Sequence, residues 1–261
     1  MGSDKKDSGG VAVSISRVKL FKACRRAYEL KYIYGLEPVQ KAVSLETGLT
    51  YHKKIELLYK GEDIDSSDLS KESAMALAYK KYVYPRFRMQ SVEDWFEYKL
   101  PNGDKLIGRT DGITANGELV EHKTTSSEIT EDYEYGLQWD EQIPAYMLAT
   151  NTRRVWYTVC RKPTIRQKKD ESDQEFFDRM VAWYDEDTES KIRLLRLECT
   201  DDEINEFSIE LRKMIYEMDH CDHFYKNCSY CTKWGRRCEY SSICLHYDPN
   251  QEYIEFKKKE K

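Results

Sequence analysis

Asp111, Glu121 and Lys123 are the residues whose types and spacing suit them to chemistry. Two carboxylates and an ammonium gathered on one side of a sheet form a hard-oxygen site for a divalent metal. The lysine beside them can hold a nucleophilic water or stabilise an oxyanion. Gathering them is a matter of local structure. Residues 105–114 suit an extended chain, Asn116-Gly117 is a two-residue hairpin signal, and residues 118–124 resume extended character. Positions i and i+2 of a strand share a face, so Glu121 and Lys123 project together and the hairpin returns Asp111 beside them. His122 falls between two inward residues, and its imidazole is expected on the other face.

The elements around this hairpin follow from apolar rhythm and punctuation. Residues 14–35 read as one helix ending at Gly35, residues 46–59 as a second and 71–84 as a third before Pro85. Residues 92–100 look extended, and Pro101-Asn102-Gly103-Asp104 turns the chain into the Asp111 strand. The core therefore opens with helices followed by a three-stranded antiparallel run. Residues 138–150 read as a helix that sets Gln142 and Tyr146 one turn apart on one face. A strand at 154–160 after that helix implies a crossover and hence a mixed sheet. Residues 162–173 are a charged loop, 174–184 a helix and 191–199 extended. Thr200-x-x-Glu203 is a capping box opening a last amphipathic helix. The fold class is α/β.

At 261 residues and 31.0 kDa the chain is long enough for a sizeable core, and 13% aromatic content argues against disorder. Residues 1–10 read as a flexible leader, 11–247 as a single domain and 248–261 as a charged tail. No apolar run approaches a membrane span and no signal-peptide hydrophobic region follows Met1, so a cytoplasmic location is expected. The net charge of −5 opposes nucleic-acid binding on average. Basic residues cluster all the same, at Arg25-Arg26, Lys53-Lys54, residues 161–169, Arg236-Arg237 and residues 257–261.

Eight cysteines in a chain without a secretion signal are expected to bind metal rather than pair. Cys228, Cys231, Cys238 and Cys244 are spaced C-x2-C-x6-C-x5-C, which from local spacing alone reads as a structural Zn²⁺ site. Cys24 lies far upstream. Cys160 and Cys199 fall in predicted strands and are expected in the core.

The Asp111, Glu121, Lys123 pattern resembles the PD-(D/E)XK nuclease superfamily, although Thr110 stands where the motif's Pro would be. Gly48 to His52 is similar to the G-x-x-x-H element and Gln142 to Tyr146 to the Q-x-x-x-Y motif of the RecB-type exonuclease branch. With the cysteines at both ends, the resemblance covers residues 14–247 and extends to phage-borne and CRISPR-adaptation nucleases carrying an iron–sulfur cluster. It implies a restriction-endonuclease-like core, a mixed β-sheet flanked by helices, and a lobe closed by the cysteines at residue 24 and in residues 221–247. His52, Asp111, Glu121 and the backbone carbonyl of His122 would hold Mn²⁺ or Mg²⁺, with Lys123, Gln142 and Tyr146 catalytic. One N-terminal and three C-terminal cysteines, Cys24, Cys231, Cys238 and Cys244, would hold a [4Fe–4S] cluster. Cys-x6-Cys through Trp234-Gly235 is similar to the phage-type members and favours Cys231, with Cys228 the alternative ligand. The implied activity is metal-dependent DNA hydrolysis, exonucleolytic on single strands or duplex ends, in recombination, repair or CRISPR adaptation. The alternative is a non-catalytic DNA-binding subunit of a recombination or repair complex. No GxxxxGK[ST] run occurs in the sequence, so unwinding would fall to a helicase or recombination partner.

Overall fold

The computed structural model describes residues 10–40, 43–233 and 237–259. Nearly all of the expected leader, together with Trp234, Gly235, Arg236, Glu260 and Lys261, lies outside the described residues. In chain order the elements are β1 (Ala12–Val13), α1 (Ile15–Ala23), α2 (Arg25–Tyr28), β2 (Leu36–Pro38), α3 (Val43–Tyr59), α4 (Lys71–Tyr82), β3 (Met89–Lys99), β4 (Lys105–Thr114) and β5 (Leu119–Thr125). They continue with α5 (Glu131–Leu137), α6 (Gln142–Thr150), β6 (Arg154–Arg161), α7 (Asp173–Glu186), α8 (Thr188–Lys191), β7 (Ile192–Glu198), α9 (Asp201–Asp219) and β8 (Phe256–Lys258). Two compact units divide the chain. One comprises Val43–Phe96 and Arg109–Ile204, the other Met1–Ala42, Glu97–Gly108 and Asn205–Lys261.

The first of these is a mixed α/β unit. Strand β4 pairs antiparallel with β5, β5 parallel with β6 and β6 antiparallel with β7, while β3 pairs with β4. A parallel β5–β6 pair requires a crossover, which α5 and α6 supply. Both faces of β6 are buried, and its side chains divide between two cores. Val155, Tyr157 and Val159 pack with Leu119, Leu137, Ile143 and Met147. Cys160, on the alternate face, packs with Tyr51, Ile55, Met75, Tyr79 and Tyr184. Helix α6 thus covers one face and α3, α4 and α7 the other, each fully buried large side chain contributing ~1.5–3 kcal/mol. Helix starts are capped as their sequences suggest. Ser172 and Glu175 exchange hydrogen bonds in a full capping box at α7, and Ser70 Oγ accepts from Ser73 N at 3.2 Å at α4.

Three expectations are corrected here. The β4–β5 connection is a three-residue loop, because Thr114 N–H reaches Glu118 O at 2.9 Å and Gly117 takes the left-handed φ of 74° that closes such a hairpin. The helix expected at 138–150 begins only at Gln142: residues 138–141 turn instead, and α5, which was not expected, precedes them.

The third lies in the other unit, where the helix expected over 14–35 is broken at Cys24. That residue is extended at φ −161°, separating α1 from α2, and a π-helical turn, Glu29–Ile33, follows. The break frees the Cys24 sulfur to accept the Asn227 N–H at 3.5 Å, and Asn227 Nδ2 donates to Ala23 O at 2.8 Å. Cys24, Ala27, Leu30, Leu36, Tyr240 and Ile243 form this unit's core. Within the expected tail, Phe256–Lys258 pairs antiparallel with Leu36–Pro38. Ala12 and Val13 pair in parallel with Lys105 and Leu106.

Candidate active site

Strand register decides which side chains meet. In β5, Glu121 and Lys123 stand opposite Tyr157 and Val159 of β6, whose side chains belong to the core beneath α6, while His122 stands opposite Thr158. Glu121 and Lys123 therefore face α6, where Gln142 opens the first turn. Lys123 Nζ donates to Glu121 Oε1 at 2.8 Å and to Gln142 Oε1 at 3.1 Å, and Gln142 Nε2 donates to Glu121 Oε1 at 2.8 Å. Asp140, in the turn before α6, brings Oδ2 to 3.1 Å from Lys123 Nζ. The His122 imidazole takes the opposite face, with Nδ1 2.6 Å from Thr158 Oγ1.

Asp111 reaches the same place from β4. The paired residues are Ile113 with Leu119 and Gly112 with Val120, so one further step would set Asp111 against Glu121. At that step the Asp111 side chain takes over: Oδ2 accepts the His122 N–H at 2.7 Å, and Oδ1 lies 3.3 Å from His52 Nδ1 on α3. Gly112 matters to this approach, because a Cβ there would come within 3.2 Å of the Met89 sulfur and 3.3 Å of Ser91 O.

Glu93 on β3 joins them, and one donor atom from each of His52, Glu93 and Asp111 lies within 4.8 Å of the others. Glu93 adopts a left-handed φ of 54°, which costs a non-glycine residue ~1–3 kcal/mol. The alternation of β3 breaks after it, leaving Asp94 and Trp95 both exposed. Arg109 Nε lies 2.7 Å from Glu93 Oε2, an ion pair out of line for a hydrogen bond, so that buried oxygen has no hydrogen-bond partner. Glu121 is turned instead toward Lys123 and Gln142.

Electrostatics tie the two groups together. Burial pushes the Glu121 carboxyl up and the Asp111 charge pushes it further, to about 7, against the pull of Lys123. Burial would also raise Asp111, but His52 and the His122 N–H outweigh it and hold the carboxyl low. His52 loses affinity for protons through burial and regains more from Asp111, a net rise. Burial lowers Lys123, yet Glu121 and Asp140 more than offset this and keep it an ammonium. His122 is pulled down to about 4 by burial and stays neutral. The Tyr146 hydroxyl is raised by burial and then by the Glu121 and Asp111 charges, and its ring meets Phe96 edge-on at 5.3 Å. An imidazole and buried carboxylates, one with an oxygen left without a hydrogen bond, are a donor set suited to a hard divalent cation.

Glu93 and Asp140 were not among the expected site residues. An acid two positions before Gln142 is a readable signal for Asp140. Nothing in the sequence marks Glu93, whose aim depends on a left-handed residue inside a strand.

In the other unit, Cys24 is buried, Cys231, Cys238 and Cys244 are half-buried and Cys228 is exposed, all as free thiols. Burial raises the Cys238 and Cys244 thiols, and Cys24 and Cys231 add to the rise in both. Cys238 N–H donates to Cys231 O at 2.8 Å. Several basic clusters are already paired: Arg25 with Glu217 at 3.2 Å, Lys53 with Glu56 at 3.0 Å and Lys54 with Asp68 at 2.6 Å.

A family model for the PD-(D/E)XK nuclease superfamily matches residues 12–83, a stretch that carries Cys24 and His52. No curated protein matches the chain. Among solved structures, a candidate exonuclease from Eubacterium rectale is similar with a TM-score of 0.51 at 12% identity, over 88% of this chain and 91% of that one. An alkaline exonuclease from Laribacter hongkongensis is similar with a TM-score of 0.38 at 14% identity, over 81% of this chain and 88% of that one. The first likeness is one of fold.

Proposed function

We propose, from the match of a PD-(D/E)XK nuclease superfamily model to residues 12–83 and from the site's geometry, that this chain is a Mn²⁺- or Mg²⁺-dependent deoxyribonuclease acting exonucleolytically on single strands or duplex ends. The observation that carries this reading is the meeting of Glu121, Lys123 and Gln142 beside the cluster of His52, Glu93 and Asp111. His52, Asp111, Glu121 and the His122 backbone carbonyl would hold the metal, and Glu93 would join this set. When bound there, a divalent ion would neutralise the phosphate and acidify a water. Lys123 orients the attacking water and stabilises charge developing at phosphorus. Gln142 and Asp140 fix the ammonium, and Tyr146 lies along the substrate strand.

Cys24, Cys231, Cys238 and Cys244 hold a [4Fe–4S] cluster that fastens the N-terminal helices to the C-terminal segment. Support comes from the break at Cys24, which aims its sulfur at Asn227, and from Cys24 and Cys231 both raising the Cys238 and Cys244 thiols. The setting is DNA recombination, repair or CRISPR adaptation in the cytoplasm, with a partner supplying any helicase activity. Among the described residues no helix is long and apolar enough to cross a membrane.

The test is digestion of end-labelled single- and double-stranded linear DNA with Mn²⁺ or Mg²⁺, with circular DNA as control. Metal-dependent loss of linear DNA with circles intact supports an exonuclease. Linearised circles would make it an endonuclease, and binding without cleavage would make it a DNA-binding subunit.

A further inference from the structure

The mixed α/β unit exposes three large aromatic side chains, two of which, Trp95 and Trp139, fall within two residues of the site's Glu93 and Asp140. Trp95 is 75% exposed, Trp139 71% and Tyr135 58%. Trp95 is linked to the site by short contacts, Trp139 by its place in the chain and Tyr135 through Trp139. The Arg109 guanidinium lies over the Trp95 ring, 5.7 Å from its centroid, and the same guanidinium approaches Glu93 Oε2 to 2.7 Å. Glu93 is in turn clustered with His52 and Asp111. Trp139 directly precedes Asp140, whose carboxylate stands 3.1 Å from Lys123 Nζ, and the Trp139 and Tyr135 rings are neighbours at 6.1 Å and 67°. One aromatic station thus adjoins the His52–Glu93–Asp111 corner and another the lysine corner.

We propose that Trp95 with Arg109, and Trp139 with Tyr135, are stacking stations for unpaired bases on either side of the phosphate held at the site. The occupant is therefore a single strand. This inference rests on the nuclease reading above. Water-facing indoles gain little by remaining exposed, whereas a base stacked on an aromatic ring buries both faces. In a duplex, the bases are already stacked on one another and offer no free face, so an aromatic platform selects a single strand or a frayed end. Arg109 adds what a backbone needs, since nearly half of its side chain is exposed and its charge can meet the phosphate next to the stacked base. The arrangement also gives a chain with net charge −5 an affinity for DNA that does not rely on charge alone.

The experiment crosses the aromatic residue with the base. Full-length protein and its Trp95→Ala, Trp139→Ala and Tyr135→Ala variants are titrated, in chelator, with fluorescein-labelled oligothymidylate, with an abasic strand of equal length and with a blunt hairpin duplex. Trp139→Phe is the conservative control. Wild type should bind oligothymidylate well above the abasic strand. Each tryptophan variant should lose about 5- to 150-fold on oligothymidylate and little on the abasic strand or the duplex, with Trp139→Phe largely restored. Intrinsic tryptophan fluorescence should fall on binding the first strand only. Equal losses on the abasic strand, or none on either, would overturn the proposal. So would variants that change self-association in sedimentation while DNA affinity stays the same, because the surface would then belong to a second copy. The titration involves no cleavage, so an inactive enzyme that still stacks bases would refute the nuclease reading alone.

Discussion

The Asp140 carboxylate stands 3.1 Å from the Lys123 ammonium, which also donates to Glu121 Oε1 at 2.8 Å. Lys123 therefore sits among two carboxylates and the Gln142 carbonyl, which together hold its proton against burial. Asp140 acts through the lysine and is a positioning residue. Asp140→Asn should lower kcat by about 10- to 100-fold, the usual cost of removing such an outer partner, and leave KM for DNA nearly unchanged. Asp140→Glu should recover part of the loss. Equal falls in kcat and affinity would place Asp140 on the substrate instead.

Asp111→Ala, Glu121→Ala and Lys123→Ala should each abolish cleavage of linear DNA while the circular-dichroism spectrum stays that of wild type. The three meet through side chains at the β4–β5 step where Asp111 takes the His122 N–H, so no apolar core contact is lost. A variant that cuts at the wild-type rate is thereby removed from the catalytic set.

Much of this arrangement was legible because strands have a period of two. Glu121 and Lys123 had to share a face, and His122 had to take the other, once residues 118–124 were read as extended. What stayed hidden depended on single backbone torsions. The left-handed φ of Glu93 goes with a carboxylate set beside His52 and Asp111, and the extended φ of Cys24 interrupts a stretch whose apolar rhythm reads as one helix. Asp140 was absorbed into a helix that begins only at Gln142. Tertiary partners outweigh local propensity at all three.

Metal binding should be visible without turnover. At about a hundredfold over its Kd a bound ion stabilises by ~2.7 kcal/mol, which for a unit of this size raises Tm by about 5–10 °C. Differential scanning with Mn²⁺ should record that rise for wild type and lose most of it in Asp111→Ala and His52→Ala. Glu93→Gln should weaken it too, and an unchanged Mn²⁺ response would exclude Glu93 from the ligands.

The metal-free protein should become less stable as pH rises from about 4.5 to about 7. Burial and Asp111 raise the Glu121 carboxyl from 4.5 to about 7 in the fold. The unfolded chain therefore releases this proton first, and the contribution, complete below about 4.5, is lost as pH climbs to about 7. Glu121→Gln cannot ionise, so chelator-treated Glu121→Gln should match or exceed wild type in Tm at pH 8 and lose the advantage at pH 5. Parallel Tm curves for the two proteins would show that Glu121 ionises in the fold at no cost.

Anaerobically purified protein should be brown and contain about four iron and four sulfide per chain. The reason is closure. Cys24 stands at the break between α1 and α2, and its other expected partners lie more than two hundred residues later, so a metal–thiolate centre would join segments that a disulfide could not hold under reducing conditions. Cys24→Ala should lose both colour and solubility, because the first helices are then released from the C-terminal segment. Cys160→Ala should keep the colour, since that thiol is buried against Tyr184 in the other unit. Cys231→Ala should bleach the protein and Cys228→Ala should not, following their burial and their influence on Cys238 and Cys244. Metal analysis giving one zinc, no iron and full occupancy in Cys24→Ala would replace the cluster with a local zinc site at Cys228, Cys231, Cys238 and Cys244.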